Sequence, residues 1–419
     1  MKKFAILLCA CLLITACIPT PQGANETNTP DAMDQTATQT PFQPADQTPT
    51  ATTTLAPLPV PSETSSSSSQ TGQQFIAYES NGHLLVTDVT GGVQGGTTQY
   101  TESGVSDQVT DIAWSPSGEY VAFTSTATGE PHLFYIFALG QSSPTDLGPG
   151  SSPAWSPDSS SIAYILGAFP DDNIWITTIE NPTPRPVTYQ TNYAWGKPVF
   201  TPDGTSLIVA GADRNNMGAS GNTSFTLETL ALDGSGTRTP LPGATSMEGV
   251  RLPYDLHFSP DKTKLAFSTS YHLSACASPG AYYVSNPDGS DRQEVISPSL
   301  RGVIDPNAEH YHVGLSYAWN SPSNGLIASG NVVDCNLNSP TVGQVIAGPQ
   351  MSILGLDGSE QLIIPGTFFG ISTDRTGAWI AAAKYTNFQD TNPMIEIYSA
   401  QTGQVALSLG TGRNPQFQP

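Results

Sequence analysis

The stretch SPAWSPDSSSIAYIL, residues 152–166, decides the fold. Trp155 closes a short strand, and Ser156-Pro157-Asp158-Ser159 then turns the chain. Pro holds φ near about −65°, and the Asp side chain caps the turn from within. Ile162-Ala163-Tyr164-Ile165 returns as a second strand, apolar and β-prone. Such a hairpin cannot bury its apolar face alone, so it needs neighbours of the same kind.

The neighbours are in the sequence. DIAWSPSGEYVAFTS (111–125), KPVFTPDGTSLIVAG (197–211) and DLHFSPDKTKLAFST (255–269) repeat the unit; SYAWNSPSNGLIASG (316–330) and FGISTDRTGAWIAAA (369–383) are looser copies. Their anchors, Trp114, Trp155, Phe200, Phe258, Trp319 and Ile371, recur at intervals of 41 to 61 residues. Periods of this size predict a propeller, each blade a small sheet. A third strand follows in each unit, and Asp233-Gly234, Asp288-Gly289 and Asp357-Gly358 turn into a fourth.

The ends of the chain complete the count. Asn414-Pro415-Gln416-Phe417 matches the opening of a repeat, whereas Phe75-Ile76-Ala77-Tyr78 matches a second strand that lacks its first. One blade is therefore expected to be assembled from both ends, removing two open sheet edges. Second strands at Ile76, Val121, Ile162, Leu207, Leu265, Leu326 and Ile380 give seven blades rather than six or eight. The expected fold is all-β: a seven-bladed β-propeller of four-stranded antiparallel blades over residues 75–419.

The Ser-Pro-Asp-Gly turn after Trp or Phe, followed by an Ile-Ala-Tyr-like strand, resembles the repeat of TolB-type β-propellers. It also resembles the propeller of dipeptidyl peptidase IV-like enzymes. The likeness covers nearly all of 75–419 and implies fold far more than function. No Gly-x-Ser-x-Gly elbow occurs, so the peptidase likeness stops at its non-catalytic part.

The N-terminus carries a separate signal. Lys2 and Lys3 precede a short apolar run ending in Leu13-Ile14-Thr15-Ala16-Cys17, which resembles the lipobox of bacterial lipoproteins. The resemblance implies a signal peptide over residues 1–16 and a diacylglycerol on Cys17, so that acyl chains supply the membrane affinity. Residues 17–74 then read as the lipidated Cys and a Thr/Pro/Ser-rich stalk, too poor in large apolar residues to fold. The expected location is outside the cytoplasmic membrane, facing periplasm or cell exterior.

Charge narrows the partners. The chain has 14 Lys and Arg against 35 Asp and Glu, a formal charge of −21, with no cation between Lys3 and Arg185. A phosphate backbone needs clustered cations, so nucleic acid is excluded. Adhesion to anionic lipid by charge is disfavoured too, leaving the lipid anchor as the contact with membrane.

Strand order divides the ring into two faces. Turns joining strands one to two and three to four emerge on one and are short; links two to three and between blades emerge on the other. Long segments at 211–223, 270–281, 297–315, 329–350 and 384–393 all fall on this second face, where recognition is expected. It carries His272, Tyr271 and Cys276 in one loop, Asp334 and Cys335 in the next, and Glu309-His310-Tyr311-His312 between them. Tyr193 and Trp195 join the candidate ligand face, with further aromatics Phe169, Tyr254 and Phe388. Cys276 and Cys335 are expected to form a disulfide between adjacent loops of an exported protein. The leading expectation is a monomeric, non-enzymatic binding or scaffold module for a protein or cell-envelope glycan, with no catalytic residues and no cofactor. The alternative follows a resemblance: oligogalacturonate lyases are similar propellers that hold a metal through His side chains. It would make His272, His310 and His312 ligands of a divalent metal.

Overall fold

The computed structural model describes residues 72–100, 109–126, 130–138, 143–167, 172–190, 193–213, 226–241, 255–270, 280–321 and 325–419. Seven small antiparallel sheets form the ring. Blade one joins Arg413–Phe417 to Phe75–Ser80, His83–Asp88 and Thr97–Gln99, with Phe417 opposite Ile76. Blades two to seven follow in chain order, their inner strands beginning at Val109, Ser151, Tyr193, Leu256, His310 and Thr367. Closure by both termini is thus as the sequence predicts.

Seven apolar clusters hold the ring, one at each junction between successive blades. Ala77, Leu84 and Val86 of blade one meet Val121, Phe123 and Ile136 of blade two. The last junction packs Ala381, Ala383, Ile395 and Ile397 of blade seven against Ile76 and Phe417. Alternation does this: in each second strand one parity faces the preceding blade and the other the following one. Val121 and Phe123 face blade one, while Ala122 packs toward blade three with Trp155.

The anchors also reach backwards across the junction. Trp155 Nε1 donates to Ala113 O at 3.0 Å, Trp114 Nε1 to Gln416 O at 2.8 Å, and Trp319 Nε1 to His257 O at 2.9 Å. In each case the acceptor immediately precedes the anchor of the previous blade. The anchor thus fills a cluster and satisfies an inner-strand carbonyl.

The turns after the anchors share one network. Ser156 Oγ donates to Asp158 Oδ1 at 2.5 Å, Ser160 N to the same oxygen at 3.1 Å, and Ser161 N to Ser156 Oγ at 2.9 Å. Thr201 and Asp203 repeat it, as do Ser259 and Asp261. These hydrogen bonds hold Asp203 and Asp261 below the ordinary carboxylate pKa. The last turn residue adopts positive φ at Gly118, Ser159, Gly204, Lys262 and Gly377.

Two readings of the sequence need correction. In the sixth copy the anchor is Thr373, not Ile371: Thr373 lies opposite Ile380 as Trp155 lies opposite Ile162. The inner-strand bulge agrees, with positive φ three residues before the anchor at Asp111, Ser152, Asn414 and Gly370. Asp374 then takes the place of the turn Ser and Thr376 that of the Asp; the roles are exchanged, so the eye aligns them two residues off. In blade four the inner strand is split into Tyr193–Trp195 and Val199–Phe200 around Lys197-Pro198. Tyr193 and Trp195 belong to it, not to a loop.

Candidate functional site

Blade six departs most from the repeat. Its first three strands, His310–Asn320, Gly325–Asp334 and Val345–Gly355, run 11, 10 and 11 residues, against 6, 6 and 6 in blade two. At roughly 3.3 Å per residue the excess projects about 15 Å past the rim on the long-link face. Most of 329–350 and the end of 297–315, predicted as loops, are therefore strand. The cause is local: Val332-Val333 and Val345-Ile346-Ala347 are β-prone and pair across the hairpin.

The projection is braced at its tip. Asp334 is buried, and its carboxylate accepts from Asn336 N at 2.9 Å, Ser339 Oγ at 2.5 Å and Thr341 Oγ1 at 2.6 Å. The two hydroxyls are the first reason its pKa lies below the ordinary value. Cys335 N donates to Glu309 O at 2.9 Å, and Asp305 pairs with His310 as an isolated bridge. Glu309 itself is exposed in a left-handed conformation, φ 56°.

The two histidines of this strand stand in different surroundings. His310 lies opposite Asp334, its Nε2 4.0 Å from the carboxylate, and is partly exposed. His312 is buried; its Nδ1 donates to Gly280 O at 2.6 Å, and Nε2 is turned onto Gly330, where a Cβ would lie 2.6 Å away. Burial pushes its pKa down, so the neutral ring is held as a packed element of the junction with blade five. Tyr282 of that blade stands edge-on to it, ring centroids 6.3 Å apart. Tyr311, between them in sequence, lies on the opposite side of the sheet, in register with Val333. Among the described residues no three His, Cys, Asp or Glu are grouped to hold a metal. Of the two ring nitrogens of His312, Nδ1 is engaged by Gly280 O and Nε2, the one a metal could take, is packed onto Gly330. Tyr271, His272 and Cys276, with Phe169 and Tyr254, lie outside the described residues.

Tyr193 and Trp195 are brought together, but with partners the sequence did not indicate. Their rings tilt at 4.6 Å over Gly211, whose missing Cβ would lie 2.6 Å from Tyr193. Arg238 sits 4.7 Å above the Tyr193 ring and grips buried Glu228 with two nitrogens, at 2.6 and 2.7 Å. Burial first, then the Glu228 charge, push the Tyr193 hydroxyl up to about 12. These contacts lie within blade four, and both charges in the set are paired with each other.

Sequence reasoning also missed Asn331. It lies opposite Val313, is fully buried, and neither amide atom has a hydrogen-bond partner. On the short-turn face, a cleft of about 470 Å³ opens between blades six and seven beside Asn320, Gln361, Ala378 and Gln401.

No family model and no curated protein matches the chain. Solved structures do. An oligogalacturonate lyase from Vibrio parahaemolyticus is 10% identical over 81% of this chain and 85% of that one, TM-score 0.53. An oligogalacturonate lyase in complex with manganese is 14% identical over 80% and 84%, TM-score 0.52. TolB from Acinetobacter baumannii is 14% identical over 83% and 67%, TM-score 0.45. At such identities the lyases establish likeness of fold, the seven-bladed propeller, and nothing finer. Among the described residues no helix is long and apolar enough to cross a membrane.

Proposed function

We propose that the chain is an extracytoplasmic binding or scaffold module, tethered by lipid on Cys17, whose long-link face engages a protein or a cell-envelope glycan. One observation carries the reading: among the described residues, blade six alone is drawn out into a braced three-stranded projection on that face. A rigid, pre-ordered element loses little entropy on binding. Cys335, buried at the turn of the projection, is proposed to bond Cys276 and tie it to blade five. The metal-lyase alternative is not supported by His312, whose ring is held by Gly280 and Gly330.

The test uses the full chain carrying Cys17→Ser, which removes the acylation site, mixed with envelope fragments of the producing bacterium. The module reading expects it to sediment with the fragments. Protease or glycan hydrolase treatment of the fragments then tells protein from glycan. A Cys17→Ser chain that stays wholly in solution would overturn the binding role. Acyl labelling that persists in the same variant would overturn the anchor.

A further inference from the structure

The third strand of blade six is covered on its outer side only in part. Glu360–Pro365 pairs with it from Gln350 to Leu354, and among the described residues no strand lies on that outer side of 345–348. Unpaired edges are templates for another chain, and proteins commonly blunt them. Here Val345 is exposed, and Ile346 and Ala347 are half-buried.

The side chains beside that edge form an apolar row. Tyr311, Val333 and Val345 stand in register across three strands. Ser329, on the same strand as Val333, donates to Phe368 O of blade seven at 2.7 Å, so by alternation Val333 is turned toward blade seven. Five of the nine exposed large hydrophobics among the described residues lie at the long-link ends of these two blades: Leu337, Val342 and Val345 on six, Phe388 and Met394 on seven. Concentration of this kind marks an interaction surface. The local charge is one-sided: from Gly302 to Gln350 there are Asp305, Glu309 and Asp334 and no Lys or Arg.

We propose that the 345–348 edge takes an extended segment of a partner protein as an added strand. Alternate apolar side chains lie on the Tyr311–Val333–Val345 row, and Lys or Arg at the intervening positions meet the cation-free blade. The strand edge asks for main-chain donors and acceptors at a peptide repeat, which a glycan lacks. A second copy of this chain would bring its own charge of −21 and is repelled. This inference rests on the long-link face being the binding face.

The probe is a short fluorescent peptide of alternating Leu and Lys, offered to the full chain. Controls replace Leu by Ser, replace Lys by Glu, or N-methylate alternate amides. Binding of the Leu–Lys peptide is expected to weaken about tenfold or more on N-methylation, in either control composition, and in Ile346→Pro, which disrupts the strand at its uncovered stretch. Val345→Asp, at an exposed position, serves the same end should Ile346→Pro fail to fold. Equal binding by the N-methylated or Ser–Lys peptide, unchanged binding by both variants, or no binding of the Leu–Lys peptide would overturn the proposal. Hydrogen exchange with this peptide and with a cell-wall glycan digest separates the two levels. Glycan protection of other long links without peptide protection of 345–348 rejects the added strand and keeps the binding face. No protection by either probe on that face rejects both.

Discussion

Blades three and six begin from the same repeat and end differently. In blade three Trp155, the Ser156–Ser159 turn and the Ile162–Ile165 strand account for nearly everything the blade does: it fills two junctions and passes a hydrogen bond back to Ala113. Blade six keeps the anchor Trp319 and its bond to His257, then adds several residues to each of three strands. What is common to both serves ring closure; what blade six adds touches blade five through His312 and otherwise builds the projection. The difference separates stability from recognition within one sheet.

The largest effect should come from breaking what all blades share. Deleting residues 414–419 removes Phe417 from the last junction and the Gln416 carbonyl from Trp114, and is expected to cost about 5 kcal/mol. Denaturant unfolding checks it; an unchanged midpoint would mean the ring does not depend on closure.

Asn331→Leu sharpens the contrast from the other side. A buried amide without partners costs roughly 1–3 kcal/mol, so this exchange should raise stability by about 1–2 kcal/mol. A fall in melting temperature would instead mean that the amide is satisfied in solution. Trp155→Phe keeps an aromatic anchor but deletes the donor to Ala113 O and part of the buried ring, with an expected loss of about 1–2 kcal/mol.

The smallest effect concerns His312, with a definite sign. Burial sets its folded pKa below the ordinary 6.5. On acidification through about 6.5 the unfolded chain takes up a proton that the folded chain refuses, so the unfolded state is favoured. The stability contribution is full above that value and declines below it. His312→Gln, which can still donate to Gly280 O, should flatten the fall in melting temperature between pH 7 and pH 5. An unaltered slope would remove His312 as its source.

The fold was legible because its determinants are periodic and local. Trp155, Pro157 and Ile162 each act within a few residues of one another, and the same chemistry recurs at the other anchors. Thr373 shows the limit: once Asp and Thr exchange places in the turn, the hydrogen bonds survive but the letters no longer align. The site was legible only as a face. The bond from Cys335 to Glu309 and the grip of Arg238 on Tyr193 depend on contacts between residues well apart in sequence, for which no spacing rule exists. His310 and His312, two apart on one strand, looked equivalent as letters; Asp334 beside one and Gly280 beside the other make them different groups.

The most direct measurement is carboxylate footprinting of the full chain bound to its own envelope. Asp305 and Glu309 are exposed on the long-link face, and Asp158, Asp203, Asp261 and Asp357 are exposed on the short-turn face. The account predicts that binding protects the first pair from carbodiimide labelling and leaves the other four as reactive as in free protein. Protection of the short-turn carboxylates with Asp305 and Glu309 still fully labelled would contradict it.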